Sequence, residues 1–139
     1  EKMIRLAKKR NHGENEVHFV HQPIEEFVSK NSYDIILTAY LFDNFQKPKA
    51  ELVFKNLSQK LTPEGKWLFA DFHVDKKRGP WWQKHLLKSM IVFFRTAWDI
   101  EAKSLVPMEK FFRANRFREM YSYRHMYGFL HSGVYIKME

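Results

Sequence analysis

Two short apolar runs on either side of a helical stripe constrain this chain more than any other feature. Tyr33, Asp34, Ile35, Ile36, Leu37, Thr38 and Ala39 form a near-continuous run rich in β-branched residues. Such a run reads as a strand covered on both faces, and strands of that kind are parallel and central. Pro48 then suits the first turn of a helix, in which Ala50, Val53 or Phe54, Leu57 and Leu61 form a stripe at helical spacing. Thr62, Pro63, Glu64 and Gly65 are predicted to end that helix, and residues 66–72 to form a second buried strand. Strand, helix, strand at this spacing implies a parallel sheet with a right-handed crossover.

The flanks extend the pattern. Residues 2–11 read as a helix whose late cations suit its C-terminus. Residues 17–21 alternate, with Val17, Phe19 and His21 on one face, and read as a strand. After Pro23, residues 24–29 read as a short helix with Ile24, Phe27 and Val28 inward. Residues 81–104 carry the longest helical pattern, in which Trp82, Leu86, Met90, Phe94 and Trp98 recur every fourth position. Pro107 opens a helix over residues 108–114. Residues 118–127 and 133–138 read as two strands joined by a connection short enough for an antiparallel hairpin.

Composition narrows the class. At 139 residues with 45% hydrophobic residues, the chain is predicted to be one globular domain. The absence of Cys excludes disulfide scaffolds, zinc fingers and thiol nucleophiles. The net charge of +8 admits nucleic acid, an anionic membrane surface or an acidic small molecule as partner, and decides among none of them. No apolar run approaches the roughly 18 residues a membrane span needs, and no signal-peptide pattern is present. A soluble, cytoplasmic protein is therefore expected. His18 and His21 fall on opposite strand faces, so no metal site is predicted.

In order and spacing the sequence resembles the C-terminal part of a class I S-adenosylmethionine-dependent methyltransferase. Lys2, Met3, Ile4, Arg5, Leu6 and Ala7 before a strand are similar to the helix after that family's second strand. Residues 33–38 are similar to its fourth strand, and residues 61–68 to its helix end before the fifth. The terminal hairpin completes the likeness. The resemblance implies an α/β, Rossmann-like three-layer fold with a mostly parallel sheet, an antiparallel C-terminal hairpin and no N-terminal strands. It implies one incomplete domain over residues 1–139, with residues 81–115 a helical substrate-side insertion. The family's Gly-rich turn and the acidic residue that binds ribose have no counterpart, since the glycines are scattered at Gly13, Gly65, Gly79, Gly128 and Gly133. Two strand-helix units are accordingly expected before Glu1, about 60 residues at about 30 per unit. Alone, the chain is expected to bind cofactor weakly and to be inactive.

The resemblance also assigns site residues. Gln22, Pro23 and Ile24 stand where the family touches adenine, and the Gln22 amide can accept a hydrogen bond from it. Thr38, Ala39 and Tyr40 would border the cofactor at the carboxyl end of a strand, where open sheets bind ligands. Phe42 and Asp43 would line the reaction mouth beside Asn44, although Asp43 or Asn44 can equally cap a helix. Asp71 and His73 share a face and make a workable acid/base pair; the plain alternative is a strand-end pair facing solvent. Phe94, Arg95 and Trp98 would contact substrate if the long helix is a lid rather than a core helix.

The function implied is methyl transfer from S-adenosylmethionine to a small-molecule or lipid-like acceptor by the full-length protein. The rivals are an RNA methyltransferase and a non-catalytic interaction domain on the same scaffold. Lys76, Lys77 and Arg78 with Arg113, Arg116 and Arg118 would form the RNA patch. Nucleic acid is disfavoured because the interleaved aromatics fall at core periods. The third and fourth strands pair directly, or an open sheet edge invites a homodimer.

Overall fold

The stripe of Ala50, Val53, Phe54 and Leu57 forms one buried face of helix α2 (Lys47–Ser58), with Pro48 in its first turn. The structure, a computed structural model, describes residues 2–74, 79–98 and 104–138. Strands β1 (Tyr33–Ala39), β2 (Leu61–Phe72), β3 (Phe117–His125) and β4 (Leu130–Lys137) form one sheet in the order β1-β2-β4-β3. β1 and β2 are parallel, joined through α2, while β2-β4 and β3-β4 are antiparallel. The remaining helices are α1 (Lys2–Lys8), α3 (Trp81–Trp98) and α4 (Met108–Ala114), with single 3-10 turns at Ile24–Glu26 and Phe42–Asn44.

The core lies on one face of the sheet. Ile36 from β1, Trp67 and Phe69 from β2 and Tyr135 from β4 meet α2 and the α4 residues Met108, Phe111 and Phe112. Aromatic rings do most of the filling. Phe54 stacks on Trp67 with centroids 4.9 Å apart, and Phe112 stacks on Tyr135 at 3.8 Å. Phe112 also meets Phe54 edge-on at 5.0 Å, and edge-on pairs of that kind add about 1 kcal/mol each beyond area burial. Trp67 Nε1 donates to Thr38 Oγ1 at 2.9 Å, so the indole's one donor is satisfied inside the core.

Several sequence-based boundaries move. The helix over residues 2–11 stops at Lys8 and buries no residue. Residues 24–29 form only a 3-10 turn. Leu61 and residues 62–65 belong to β2 rather than to α2 and a turn. Leu61 pairs with Tyr33 and Lys66 with Ile35, so residues 62–65 bulge out opposite Asp34 alone. The Pro-Glu-Gly signal is therefore spent on an irregularity inside the strand. Residues 17–21 are not a strand. A strand needs a hydrogen-bonded neighbour as well as alternation, and among the described residues β1 pairs only with β2. Direct pairing of the third and fourth strands is thus not observed. β1 is covered on one face only, since Ile35 and Leu37 are 59% and 67% exposed. The final hairpin is as expected in type, with its turn shifted to residues 126–129.

α3 contributes nothing to the main core among the described residues. It is held at its first turn instead. Gln83, 1% exposed, donates from Nε2 to the carbonyl of Tyr127 at 2.9 Å, and the Trp82 ring packs on Phe129 at 5.9 Å. The core-helix reading of this stripe is not what forms. α3 leaves the sheet and lies over the carboxyl ends of β1 and β2. Residues 99–103, the rest of the expected helix, lie outside the described residues.

Candidate active site

β1 ends where Tyr40 takes a left-handed backbone conformation (φ 53°) and turns the chain out of the sheet. Asn44 holds that turn, its Nδ2 donating to the Tyr40 carbonyl at 2.7 Å and to Asp43 Oδ1 at 2.8 Å. The Asp71 carboxylate, at the end of β2, accepts from its neighbour's backbone N–H on Phe72 at 2.9 Å. It also accepts from the backbone of Phe42 and Asp43. Asp71 thus caps the Phe42–Asn44 turn from the next strand, and two carboxylates come together at one sheet edge.

Their environment makes both weaker acids. Burial pushes Asp71 up to about 7, with the charge of Asp43 adding to it and the backbone donors opposing. Burial likewise pushes Asp43 up to about 6. Both values lie in the range where a carboxyl can exchange protons near neutral pH.

Two cavities open under α3. The larger, of about 600 Å³, has Asp71, His73, Glu109 and His131 on one side and Leu87, Ile91 and Arg95 of α3 on the other. The smaller, of about 310 Å³, takes in Tyr40, Asp43, Phe72, Met90 and Phe94. Behind the larger cavity lies a polar cluster. Glu109 Oε1 stands 3.1 Å from Arg124 Nη2, 3.4 Å from His131 Nδ1 and 3.7 Å from His73 Nδ1. The buried His131 ring meets Glu119 Oε1 at 3.3 Å and Ser122 Oγ at 3.0 Å through Nε2. Tyr135 donates its hydroxyl to Glu119 at 3.1 Å, and burial with that carboxylate pushes the phenol pKa up. Among the described residues no three such groups are placed to hold a metal ion.

The expected site residues divide. Asp71, His73 and Arg95 line the larger cavity, and Tyr40, Asp43 and Phe94 the smaller. Phe42 does not reach a reaction mouth. It is 1% exposed and packs among Phe54, Trp67 and Phe69, because its apolar ring is worth more in the core. The Thr38 side chain is also internal, serving Trp67. Ala39 is exposed at the strand end. Gln22 and Pro23 are exposed, Ile24 packs against the core, and none of the three lines either cavity. The Trp98 side chain and residues 76–78 lie outside the described residues. Glu109, Glu119 and His131 were not singled out from sequence. The one usable signal was the alternation of His131, Gly133 and Tyr135 on the buried face of β4.

Comparison with known proteins bears on the fold that carries this site. The family described as methyltransferase domain matches residues 1–69. The fold of the whole chain is similar to solved methyltransferases. Residues 1–69 thus match a methyltransferase-domain family, and the chain shares the fold of class I S-adenosylmethionine-dependent methyltransferases. The N-methyltransferase NodS from Bradyrhizobium japonicum WM9 is 12% identical, with a TM-score of 0.59 over 97% of this chain and 65% of its own. LaPhzM is 17% identical with a TM-score of 0.61, and mitomycin 7-O-methyltransferase MmcR 12% identical with a TM-score of 0.61. The matches cover 86% and 84% of this chain, which spans only about a third of those two proteins, 34% and 33%. Among curated proteins none matches it by sequence.

The family's methyl donor is S-adenosylmethionine. The residues present fit its sulfonium end: Asp43, and Asp71 in its ionised form, would supply negative charge, and the Tyr40 and Phe72 rings, with centroids 5.2 Å apart, would add aromatic surface beside a cation. For the adenosine end the given sequence offers no Gly-rich turn.

Proposed function

We propose that the protein transfers a methyl group from S-adenosylmethionine to a small-molecule or lipid-like acceptor, with residues 81–115 forming the acceptor side. The observation that carries this reading is the 600 Å³ cavity between α3 and the strand ends, with Asp71, His73, Glu109 and His131 on one wall and aliphatic and cationic α3 residues on the other. A space of that size suits a ligand of drug-like dimensions. Leu87, Ile91 and Met108 would hold an apolar body, and Lys88 and Arg95 an anionic end.

The cofactor, when bound, supplies an electrophilic methyl carbon on a cationic sulfur. Ala39 and Tyr40 would border it, with Asp43 and Asp71 balancing the positive charge; Gln22, Pro23 and Ile24 would meet the adenine. His73 would take the proton that an acceptor hydroxyl or amine loses on methylation. Glu109, 3.7 Å from its Nδ1, would orient the ring and stabilise the resulting imidazolium. Alignment of acceptor and methyl carbon supplies much of the acceleration, so His73 is expected to matter less than the walls that position the acceptor.

The test is titration calorimetry with S-adenosylhomocysteine, then transfer of a labelled methyl group to a panel of phenols, hydroxy acids and amines. Binding followed by labelling of one acceptor class, with labelling lost in Arg95→Glu, is the expected result. Absence of S-adenosylhomocysteine binding by the full-length protein would overturn the reading in favour of a scaffold without catalysis.

A further inference from the structure

β4 carries an imidazole into the covered side of the sheet. His131, Gly133 and Tyr135 alternate toward that side, and His131 is buried. In register His131 stands between Asp71 of β2 and Arg124 of β3. Residues directly opposite one another in a sheet share a face, so these three form one row across three strands. α4 brings Glu109 onto the row. His73, one residue past the end of β2, keeps to the ladder by donating its backbone N–H to the Phe129 carbonyl at 2.8 Å. Asp71, His73, Glu109 and His131 all line the larger cavity.

One oxygen of Glu109 is the point where these side chains meet. Oε1 faces Arg124 Nη2, His131 Nδ1 and His73 Nδ1. Two of these neighbours hold it in different ways. Arg124 is a long side chain, about half exposed, that can follow the carboxylate. The His131 ring is fixed from behind. Its Nε2 lies 3.0 Å from Ser122 Oγ and 3.3 Å from Glu119 Oε1, and Phe69 meets the ring edge-on with centroids 6.0 Å apart. The Ser122 hydroxyl can either donate or accept, so the ring keeps this pose whichever nitrogen carries its proton. Glu109 Oε1 is therefore set against His73 by a rigid, buried group. An ionised carboxylate only accepts, so at His73 it favours the tautomer with the proton on Nδ1.

We infer that His131 is a positioning residue: by holding Glu109 Oε1 it keeps His73 protonated on Nδ1, which leaves Nε2 as the basic nitrogen. During transfer the acceptor's O–H or N–H bond would break and its proton would pass to Nε2, while the Nδ1 proton stays with His73 and Glu109 carries the countercharge. That part in catalysis rests on the proposed role of His73 as base; the effect on the tautomer does not.

The experiment is nitrogen-15 NMR of the histidine rings in the full chain, at about pH 8.5, above the ordinary histidine range of about 6.5. The His73 signals are assigned by their loss in His73→Asn. The parent should show His73 protonated on Nδ1. A glutamine amide falls near the place of Nε2, and an asparagine amide near that of Nδ1. His131→Gln should therefore release Glu109 and bring the Nε2-protonated form of His73 to a comparable share, while His131→Asn should restore the parent pattern. A purely structural role would make the two variants alike. With an acceptor found in the labelled-methyl panel, kcat should fall on the order of 10-fold in His131→Gln with KM unchanged, and be largely kept in His131→Asn. If His131→Gln does not fold, Glu119→Ala, at a partly exposed position, frees the ring from behind and should mix the His73 tautomers in the same way. A parent His73 protonated on Nε2, the same pattern in both His131 variants, or unchanged His73 signals in a folded Glu119→Ala would each overturn the inference. S-adenosylhomocysteine binding, measured beside it, reports on the catalytic reading separately.

Discussion

The negative charge of Asp43 raises the pKa of Asp71, its neighbour at the end of the adjacent parallel strand. The sequence separates these two carboxylates by a helix and most of a strand. The fold sets them at one edge, where burial weakens both acids.

That pair makes stability depend on pH in a stated direction. Unfolded aspartates titrate near about 3.9, whereas Asp71 is pushed up to about 7 and Asp43 to about 6. Between those limits the folded state binds more protons than the unfolded one. The stabilisation is complete below the unfolded range and is lost as pH rises through about 6 to 7. Urea midpoints should therefore be higher at pH 5 than at pH 8, by on the order of 2 kcal/mol in unfolding free energy. Asp71→Asn keeps an acceptor oxygen for the backbone donors and should flatten most of that slope. A parent protein equally stable at both values would refute the raised pair.

Thr38→Val tests the buried indole bond. The substitution keeps the side chain's shape but leaves Trp67 Nε1 without its partner inside the core. A loss of about 1–3 kcal/mol is expected in denaturant unfolding, the usual cost of a buried unsatisfied donor. Adding Trp67→Phe should make the double variant lose less than the sum of the two single variants, since neither polar group then remains.

The β3-β4 turn stores strain that glycine would relieve. Met126 and Tyr127 both adopt left-handed backbone angles, at φ 51° and 56°. Such a conformation costs a residue with a side chain about 1–2 kcal/mol. The Tyr127 side chain is exposed and contributes little packing. Tyr127→Gly should raise stability by about 0.5–1 kcal/mol once the glycine's own entropy is subtracted. Gln83→Ala should act oppositely, because its amide donates to the carbonyls of this turn from a buried position. A thermal melt of both variants decides the point.

Glu109 offers a kinetic test. It sits between Arg124, His131 and His73. Glu109→Gln preserves size and removes the charge. If His73 handles the acceptor's proton, kcat should fall on the order of 10- to 100-fold with KM little changed, and the acidic limb of the pH profile should move. An unchanged profile would leave Glu109 a structural tie.

Much of the fold was legible locally. The apolar run of Tyr33–Ala39, the stripe in α2, the helix after Pro107 and the antiparallel hairpin are all set by spacing within a few residues. The site was legible only in part. Asp43, Asp71 and His73 were visible as polar groups at strand ends, where an open sheet binds ligands. Phe42 stood next to them in sequence and turned inward, because nothing local distinguishes a core ring from a substrate contact. Glu109, Glu119 and His131 come from α4, β3 and β4, and only their meeting makes a cluster.

By itself the sequence determined which segments carry a strong strand or helix period, and that a parallel unit precedes an antiparallel hairpin. Tertiary structure decided which of those periods were used. Residues 17–21 alternate as a strand should, yet among the described residues β1 has no neighbour on its other edge. α3 has the stripe of a core helix, yet its inner face closes cavities and its outer face stays exposed. Periodicity states which side of an element is apolar. What covers that side depends on hydrogen-bonded edges and surfaces brought from distant parts of the chain.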